Sequence, residues 1–198
     1  MSAPKRIYLN NQIYFITTKI YQNIEYFKES IFCDLLIENL RICKRLKRFE
    51  LYAFCLLYEH LHLLLKPNGK YNISNIMFSL KKQFSHDVNR VMGFNEKYPN
   101  MGEQTNVGGK TNVGEQTFVR LQLFVQTLHR KFVHKYGYNQ STTPMFKWQK
   151  SFYDHIIRSE NDFYNHYRYT ANNFQKHNLP KNWKYTSLYF PDLVNDKL

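Results

Sequence analysis

Two histidines, His60 and His62, lie inside a long apolar and aromatic stretch that runs from residue 52 to residue 66. This composition predicts a buried strand, or two strands broken at residues 58 and 59. Because side chains alternate between the faces of a strand, both imidazoles would point the same way, with Leu61 behind them. Two such imidazoles can hold one divalent metal ion, and equally they can be two buried, hydrogen-bonded histidines.

The overall charge favours a nucleic-acid partner. Twenty-eight Lys and Arg residues against fifteen Asp and Glu give a net charge of +13, and Tyr and Phe occur sixteen times each. Basic charge interleaved with aromatic side chains is typical of proteins that grip phosphates and stack on unpaired bases. The alternative is a basic protein without a polyanionic partner.

The length and the cysteines indicate one domain in a reducing compartment. A chain of 198 residues fits a single domain with its own core. Cys33, Cys43 and Cys55 are odd in number, have no metal-like spacing and lie in apolar patterns, which predicts reduced core residues of a cytosolic protein. An apolar signal core and a run of about 18 apolar residues are both missing, so neither secretion nor membrane spanning is expected.

Several elements must position the two histidines. Residues 13–20 predict a first strand, and Ser30 predicts the cap of a helix whose apolar stripe extends to Leu46. A second helix is predicted after Gly69, with a stop at Gly93. Its apolar stripe is opposite a basic face that we expect to flank the histidine strand; this face carries Lys81, Lys82, Gln83, His86 and Arg90.

The second half of the chain opens with imperfect six-residue repeats in residues 99–117, which predict a flexible insert without a core. A third helix is predicted from Thr117 to just before Gly137. Residues 145–157 alternate in an aromatic pattern, which predicts a last strand that contains Trp148 and His155.

A final helix is predicted from the Ser159 cap to about His177. Tyr169 and Asn173 are four residues apart on its polar stripe, which would place their Cβ atoms about 6 Å from each other. A polar stripe on a surface helix is also compatible with no function at all.

Three ordered motifs resemble those of a known family. Tyr58-Glu59-His60-Leu61-His62 resembles the histidine-hydrophobic-histidine core of the HUH endonucleases, and especially that of the single-tyrosine transposases of the IS200/IS605 type and their REP-associated relatives. Two later motifs of the REP-associated group also have counterparts in this chain. The first is similar to Trp148-Gln149 with Asp154-His155-Ile156-Ile157-Arg158, and the second is similar to the segment 169–177. The chain departs from that group at Phe174, where proline is usual, and at Asn178, where glycine is common.

The resemblance implies a set of site residues. His60 and His62 would be metal ligands, Asn173 a third ligand and Tyr169 the nucleophile, with Mg²⁺ or Mn²⁺ as the ion. The basic residues that we assign to DNA contact are Lys81, Lys82, Arg90, Arg158 and Lys176, and Trp148 and His155 belong to the motifs.

The resemblance also implies a fold and an activity. The fold would be a single α+β domain over residues 1–198, with an antiparallel sheet of about four or five strands in ferredoxin-like connectivity and helices packed on it. The activity would be cleavage and rejoining of single-stranded DNA at hairpins through a 5′-phosphotyrosine, in the cytoplasm at the nucleoid, by a monomer or a homodimer. Two alternatives stay open: an inactive or domesticated hairpin-DNA binder, and an RRM-like RNA-binding domain.

Overall fold

One antiparallel sheet forms the centre of the fold. A computed structural model describes residues 8–9, 11–94, 113–137 and 143–196. Within these ranges the strands are β1 (Tyr14–Lys19), β2 (Glu50–Leu56), β3 (His60–Lys66) and β4 (Tyr153–Ile156). All three pairings are antiparallel and the strand order is β2-β3-β1-β4, which is ferredoxin-like connectivity. The predicted α+β class is therefore confirmed.

Helices cover both faces of the sheet. Three long helices, α1 (Ser30–Lys47), α2 (Ile73–Val91) and α3 (Val113–Tyr136), belong to the larger core on one face. The helix α4 (Glu160–Ala171) packs on β2 and β3 from the other face, and the short helix α5 (Asn173–Lys176) follows it. None of the helices in the described ranges combines the length and hydrophobicity needed to span a bilayer.

The apolar stretch around the histidines is a hairpin of two strands. The chain reverses between β2 and β3, where the Leu57 N–H donates to the carbonyl of His60 over 2.9 Å. Leu61, Leu63 and Leu65 enter the larger core, whereas Leu64 enters the smaller core beneath α4. The strand period of two therefore directs His60 and His62 toward the α4 side.

Several predicted boundaries are correct. The second helix starts soon after Gly69, as predicted, and Asn72 caps it through a reciprocal pair of hydrogen bonds with Asn75. Gly93, the predicted stop, follows the helix with a φ of 80°. Ser159 caps α4, because its hydroxyl accepts the N–H of Asp162. The three cysteines are buried free thiols, as predicted.

Other boundaries differ from the prediction. The helix α1 begins at Ser30 itself, with Glu29 as the cap residue, and its apolar stripe ends before Leu46, which is 55% exposed. The helix α3 starts at Val113, so residues 113–117 are helical rather than part of a loop. The rest of the predicted insert, residues 99–112, lies outside the described residues.

The predicted last strand is shorter than expected. Only its end forms β4, and Trp148 makes an isolated bridge with Ile20. Phe146 and Trp148 instead pack around Phe84 of α2, with ring centroids 5.1 Å and 5.6 Å from it. Burial of these large rings in the core thus replaces continuous strand pairing.

Candidate active site

His60 and His62 form a converging pair of imidazoles. Both side chains are buried, and their Nε2 atoms are 3.1 Å apart. The Nδ1 atom of His60 is 2.7 Å from the Glu59 carboxylate, and that of His62 is 2.8 Å from the hydroxyl of Thr17. An outer partner on one ring nitrogen leaves the lone pair of the other ring nitrogen free to bind an ion.

The separation of the two Nε2 atoms suits a metal ion. In a tetrahedral site with bonds of about 2.1 Å, neighbouring ligand atoms lie about 3.4 Å apart. The observed 3.1 Å requires only a small opening of the pair. Burial lowers the pKa of both imidazoles, that of His62 to about 3, and the positive charges of neighbouring groups including Lys19 act in the same direction. The Glu59 carboxylate opposes the shift of the His60 pKa without reversing it. Both rings are therefore neutral near pH 7, which is the form that binds metal.

Tyr169 is the tyrosine that faces this pair. Its ring centroid lies 5.5 Å from that of His62 and 5.7 Å from that of Phe15, and 37% of the residue is exposed. The helix α4 is anchored against the sheet by Phe163, whose ring meets that of Tyr52 edge to face at 5.3 Å. Six residues later, about 1.7 turns along α4, Tyr169 reaches the histidine end of that face.

The other tyrosines on or near this helix pack into the two cores. Tyr164 and Tyr167 pack partly buried against the smaller core. Tyr185 is buried and donates a hydrogen bond to Asp34, and burial raises the pKa of its phenol far above the usual value. Among these tyrosines, the geometry favours Tyr169 as the nucleophile.

Asn173 does not continue the helix of Tyr169, which corrects the prediction of one helix to about His177. The break falls at Asn172, which has φ −109° and ψ 11°, because the carbonyl of Ala171 accepts the Thr186 hydroxyl over 2.7 Å. Asn173 is fully buried, so it shares no exposed polar stripe with Tyr169.

The buried Asn173 amide has the character expected of a ligand. Within the described part of the chain, neither its Oδ1 nor its Nδ2 atom has a hydrogen-bond partner. An unsatisfied buried amide is costly, and such groups call for a specific explanation. At the end of α5, the His177 ring lies 5.0 Å from that of His60, so this short helix borders the histidine pair.

The predicted basic residues divide into two groups. Lys176 lies beside the nucleophile candidate, with its Nζ atom 4.7 Å from the centroid of the Tyr169 ring, and Arg158 is exposed just before α4. By contrast, Lys81, Lys82 and Arg90 belong to α2, whose core residues pack against the opposite face of the sheet. The expectation that they flank the histidine strand is wrong, and Arg90 is buried.

The two remaining motif residues have different surroundings. Trp148 is a core residue, packed among Phe27, Phe84 and Phe146. His155 lies on the α4 side of β4, and its Nε2 atom is 3.1 Å from the Asp162 carboxylate.

Several site neighbours were missed from the sequence. They are Thr17, Glu59 and His177 around the histidine pair, and Asp162 and His166 around His155. A signal existed for the last two, because Asp162, His166 and Tyr169 recur at helical spacing on α4. Thr17 gave no signal, since its role depends on the pairing of β1 with β3.

Comparisons with known proteins identify the family. Residues 10–109, just over half of the chain, match the family model described as "Transposase IS200 like". The chain therefore belongs to the IS200-like transposase family. No curated protein sequence matches it.

Solved structures that are similar to this chain include the following two. One is a REP-associated tyrosine transposase bound to a REP hairpin, at 20% identity and a TM-score of 0.61, with 96% of this chain and 84% of that chain covered. The other is a candidate transposase from Deinococcus radiodurans, at 20% identity and a TM-score of 0.38, with 65% and 98% covered. The first likeness supports the fold described above.

Proposed function

We propose that this protein is a metal-dependent single-stranded DNA endonuclease and strand transferase that acts at hairpins through a 5′-phosphotyrosine. The observation that carries the proposal is the position of Tyr169, 5.5 Å between ring centroids from His62, beside two converging imidazole nitrogens. A nucleophile next to a potential cation site is the arrangement that phosphoryl transfer requires. As a DNA enzyme it would act in the cytoplasm at the nucleoid.

The cation would be held by His60, His62 and the amide oxygen of Asn173. Two neutral nitrogen donors and one oxygen donor suit Mn²⁺ well, while Mg²⁺ prefers oxygen ligands. A bound divalent ion would polarise the scissile phosphate and offset its negative charge. Glu59 and Thr17 fix the orientation of the two rings through their Nδ1 atoms.

The reaction transfers a phosphodiester to the protein and back. The Tyr169 oxygen attacks phosphorus, a new O–P bond forms, and the bond from phosphorus to the 3′ oxygen breaks. The phenol gives its proton to solvent, and the departing 3′ oxygen takes one up. In the second step a 3′-hydroxyl attacks the phosphotyrosine and releases Tyr169, so the bond count is restored without an external energy source.

Charge supports DNA as the substrate. The chain carries a net charge of +13, and the ammonium of Lys176 lies at the nucleophile, where it would approach the transferring phosphate. The similar transposase structure holds a REP hairpin, which is the reason for proposing a hairpin here. An RRM-like domain binds RNA by stacking bases on an open sheet face, whereas α4 packs on β2 and β3 in this protein. The packing of α4 therefore disfavours the RNA-binding alternative.

The test is a covalent-adduct assay with Tyr169→Phe. The purified protein is incubated with labelled single-stranded hairpin DNA and Mn²⁺, and denaturing gels show any adduct. We expect an adduct with the wild type that is lost in Tyr169→Phe and in EDTA. Tyr167→Phe is the matched control, because it removes a phenolic oxygen two residues away on the same helix and should leave the adduct intact.

Two results would contradict the proposal. An adduct that persists in Tyr169→Phe would mean that another residue is the nucleophile. Hairpin binding without an adduct under any metal condition would identify the protein as a binder, which is the alternative left open by the sequence.

A further inference from the structure

A second group of potential metal ligands lies between β4 and α4, apart from the histidine pair. His155, Asp162 and His166 each offer one ligand atom, and these atoms all lie within 4.8 Å of one another. The Asp162 carboxylate is 3.1 Å from the His155 Nε2 atom and 2.9 Å from the His166 Nδ1 atom. Each of the three side chains is about a quarter exposed, so an ion could enter from solvent.

We propose that His155, Asp162 and His166 form a second divalent-cation site that prefers Zn²⁺, Co²⁺ or Mn²⁺. Two imidazoles and one carboxylate are a ligand set that holds such ions and leaves coordination positions open. The separations of 2.9 Å from His166 to Oδ1 of Asp162 and 3.1 Å from His155 to Oδ2 are close to the about 3.4 Å between neighbouring ligand atoms in a tetrahedral site.

Metal binding here requires a change of partner at each imidazole. In the metal-free protein, one ring nitrogen of each histidine contacts the Asp162 carboxylate. When a cation enters, an imidazole lone pair and the carboxylate would turn to the ion. The two rings are nearly parallel, at 17° and 4.7 Å between centroids, so a modest rotation would accompany binding.

The local structure holds the three residues in place. His155 lies on β4 opposite Phe15 of β1. Asp162 accepts the backbone N–H of Arg158, and its own N–H donates to the Ser159 hydroxyl at the start of α4. These bonds hold the carboxylate beside both imidazoles.

The location adds a role that rests on the proposed function. His166 precedes Tyr169 by three residues on α4, which places the two side chains on neighbouring turns of one face. Phe15 contacts both of them, with ring centroids 4.9 Å from His166 and 5.7 Å from Tyr169. A cation at this position would offer its open positions to a phosphate of the strand that passes Tyr169.

The test counts Co²⁺ ions by titration calorimetry and visible absorption, without DNA and without an activity readout. We expect two equivalents for the wild type, one for the His60→Gln/His62→Gln double variant, and none once His166→Gln is added to it. At each site the Co²⁺ affinity should fall by more than the roughly 10–100-fold that removal of an outer-shell partner causes. His134→Gln, an exposed histidine on α3, is the control that should keep both equivalents.

The outcomes separate the two sites. If the His60→Gln/His62→Gln variant binds no Co²⁺ while circular dichroism shows a folded protein, the second site is refuted. If the wild type binds a single ion that His166→Gln removes and the double variant keeps, the second site stands and the first one fails. His155→Asn serves as a second variant should His166→Gln not fold, and retention of both equivalents in it would also refute the proposal.

Discussion

Replacing Asn173 with leucine should stabilise the metal-free protein. The side chain is fully buried, and its two polar atoms have no partner in the described structure. A buried polar group without a hydrogen bond costs about 1–3 kcal/mol in mutational data. Leucine has a similar shape and no polar atom in its side chain, so we expect Asn173→Leu to raise the free energy of unfolding by about 1–3 kcal/mol. For a chain of this size each kcal/mol raises Tm by about 2–4 °C.

The same substitution should reduce the stabilisation that Mn²⁺ gives. A ligand at 100 times its Kd stabilises the folded protein by about 2.7 kcal/mol. The free energy of unfolding of the wild type should therefore be higher in Mn²⁺ than in EDTA. The increase should be smaller for Asn173→Leu, because this variant lacks the proposed third ligand. Urea unfolding of both proteins in EDTA and in Mn²⁺ gives the four free energies of unfolding.

Asn172→Leu is the matched control. This neighbour is exposed, and its Nδ2 atom donates to the Arg168 carbonyl over 3.0 Å. Its replacement should lower stability slightly in both conditions and leave the response to Mn²⁺ unchanged. The reasoning about Asn173 is refuted if Asn173→Leu is less stable than wild type in EDTA, or if it keeps the full response to Mn²⁺.

Three further outcomes are expected. The pKa of His62 is lower in the folded protein than its value near 6.5 in the unfolded chain, so the unfolded chain binds more protons below pH 6.5. The free energy of unfolding should therefore fall between pH 6.5 and about 3, by up to about 1.4 kcal/mol per pH unit. Urea unfolding of His62→Gln should show a shallower fall. Hairpin binding, followed by fluorescence anisotropy, should weaken with salt by a log-log slope of about −0.7 for each neutralised phosphate; a flat response would contradict it. Deleting residues 99–111, ahead of the first turn of α3, should leave the circular dichroism spectrum and the adduct unchanged, and insoluble protein would show that the segment is structural.

Local patterns were sufficient to predict most of the helices and strands. The alternation in β3 places His60 and His62 on one side, and helical spacing identifies the core residues of α2, because both depend on the period of a single element. The pairing of the strands was predicted only from the family resemblance. Thr17 shows the limit, since its contact with His62 requires knowing that β1 lies next to β3 in this register.

The errors arose where tertiary contacts override a local pattern. Helical spacing favoured one helix through Asn173, but the Thr186 hydroxyl takes the Ala171 carbonyl and the helix breaks. The basic side chains of α2 were placed near the histidines because the sequence does not tell which face of a sheet a helix covers. Arg90 was read as a surface residue although it is buried.

Phe15 connects the residues around Tyr169 through one shared packing partner. Its ring contacts those of His62, Tyr169 and His166, at 5.4 Å, 5.7 Å and 4.9 Å between centroids. Residues that share a packing partner show non-additive effects on substitution. A substitution at position 15 should therefore change the effects of substitutions at His62 and His166. In a diverged copy of the gene, one mutation at this position would alter the surroundings of both histidines.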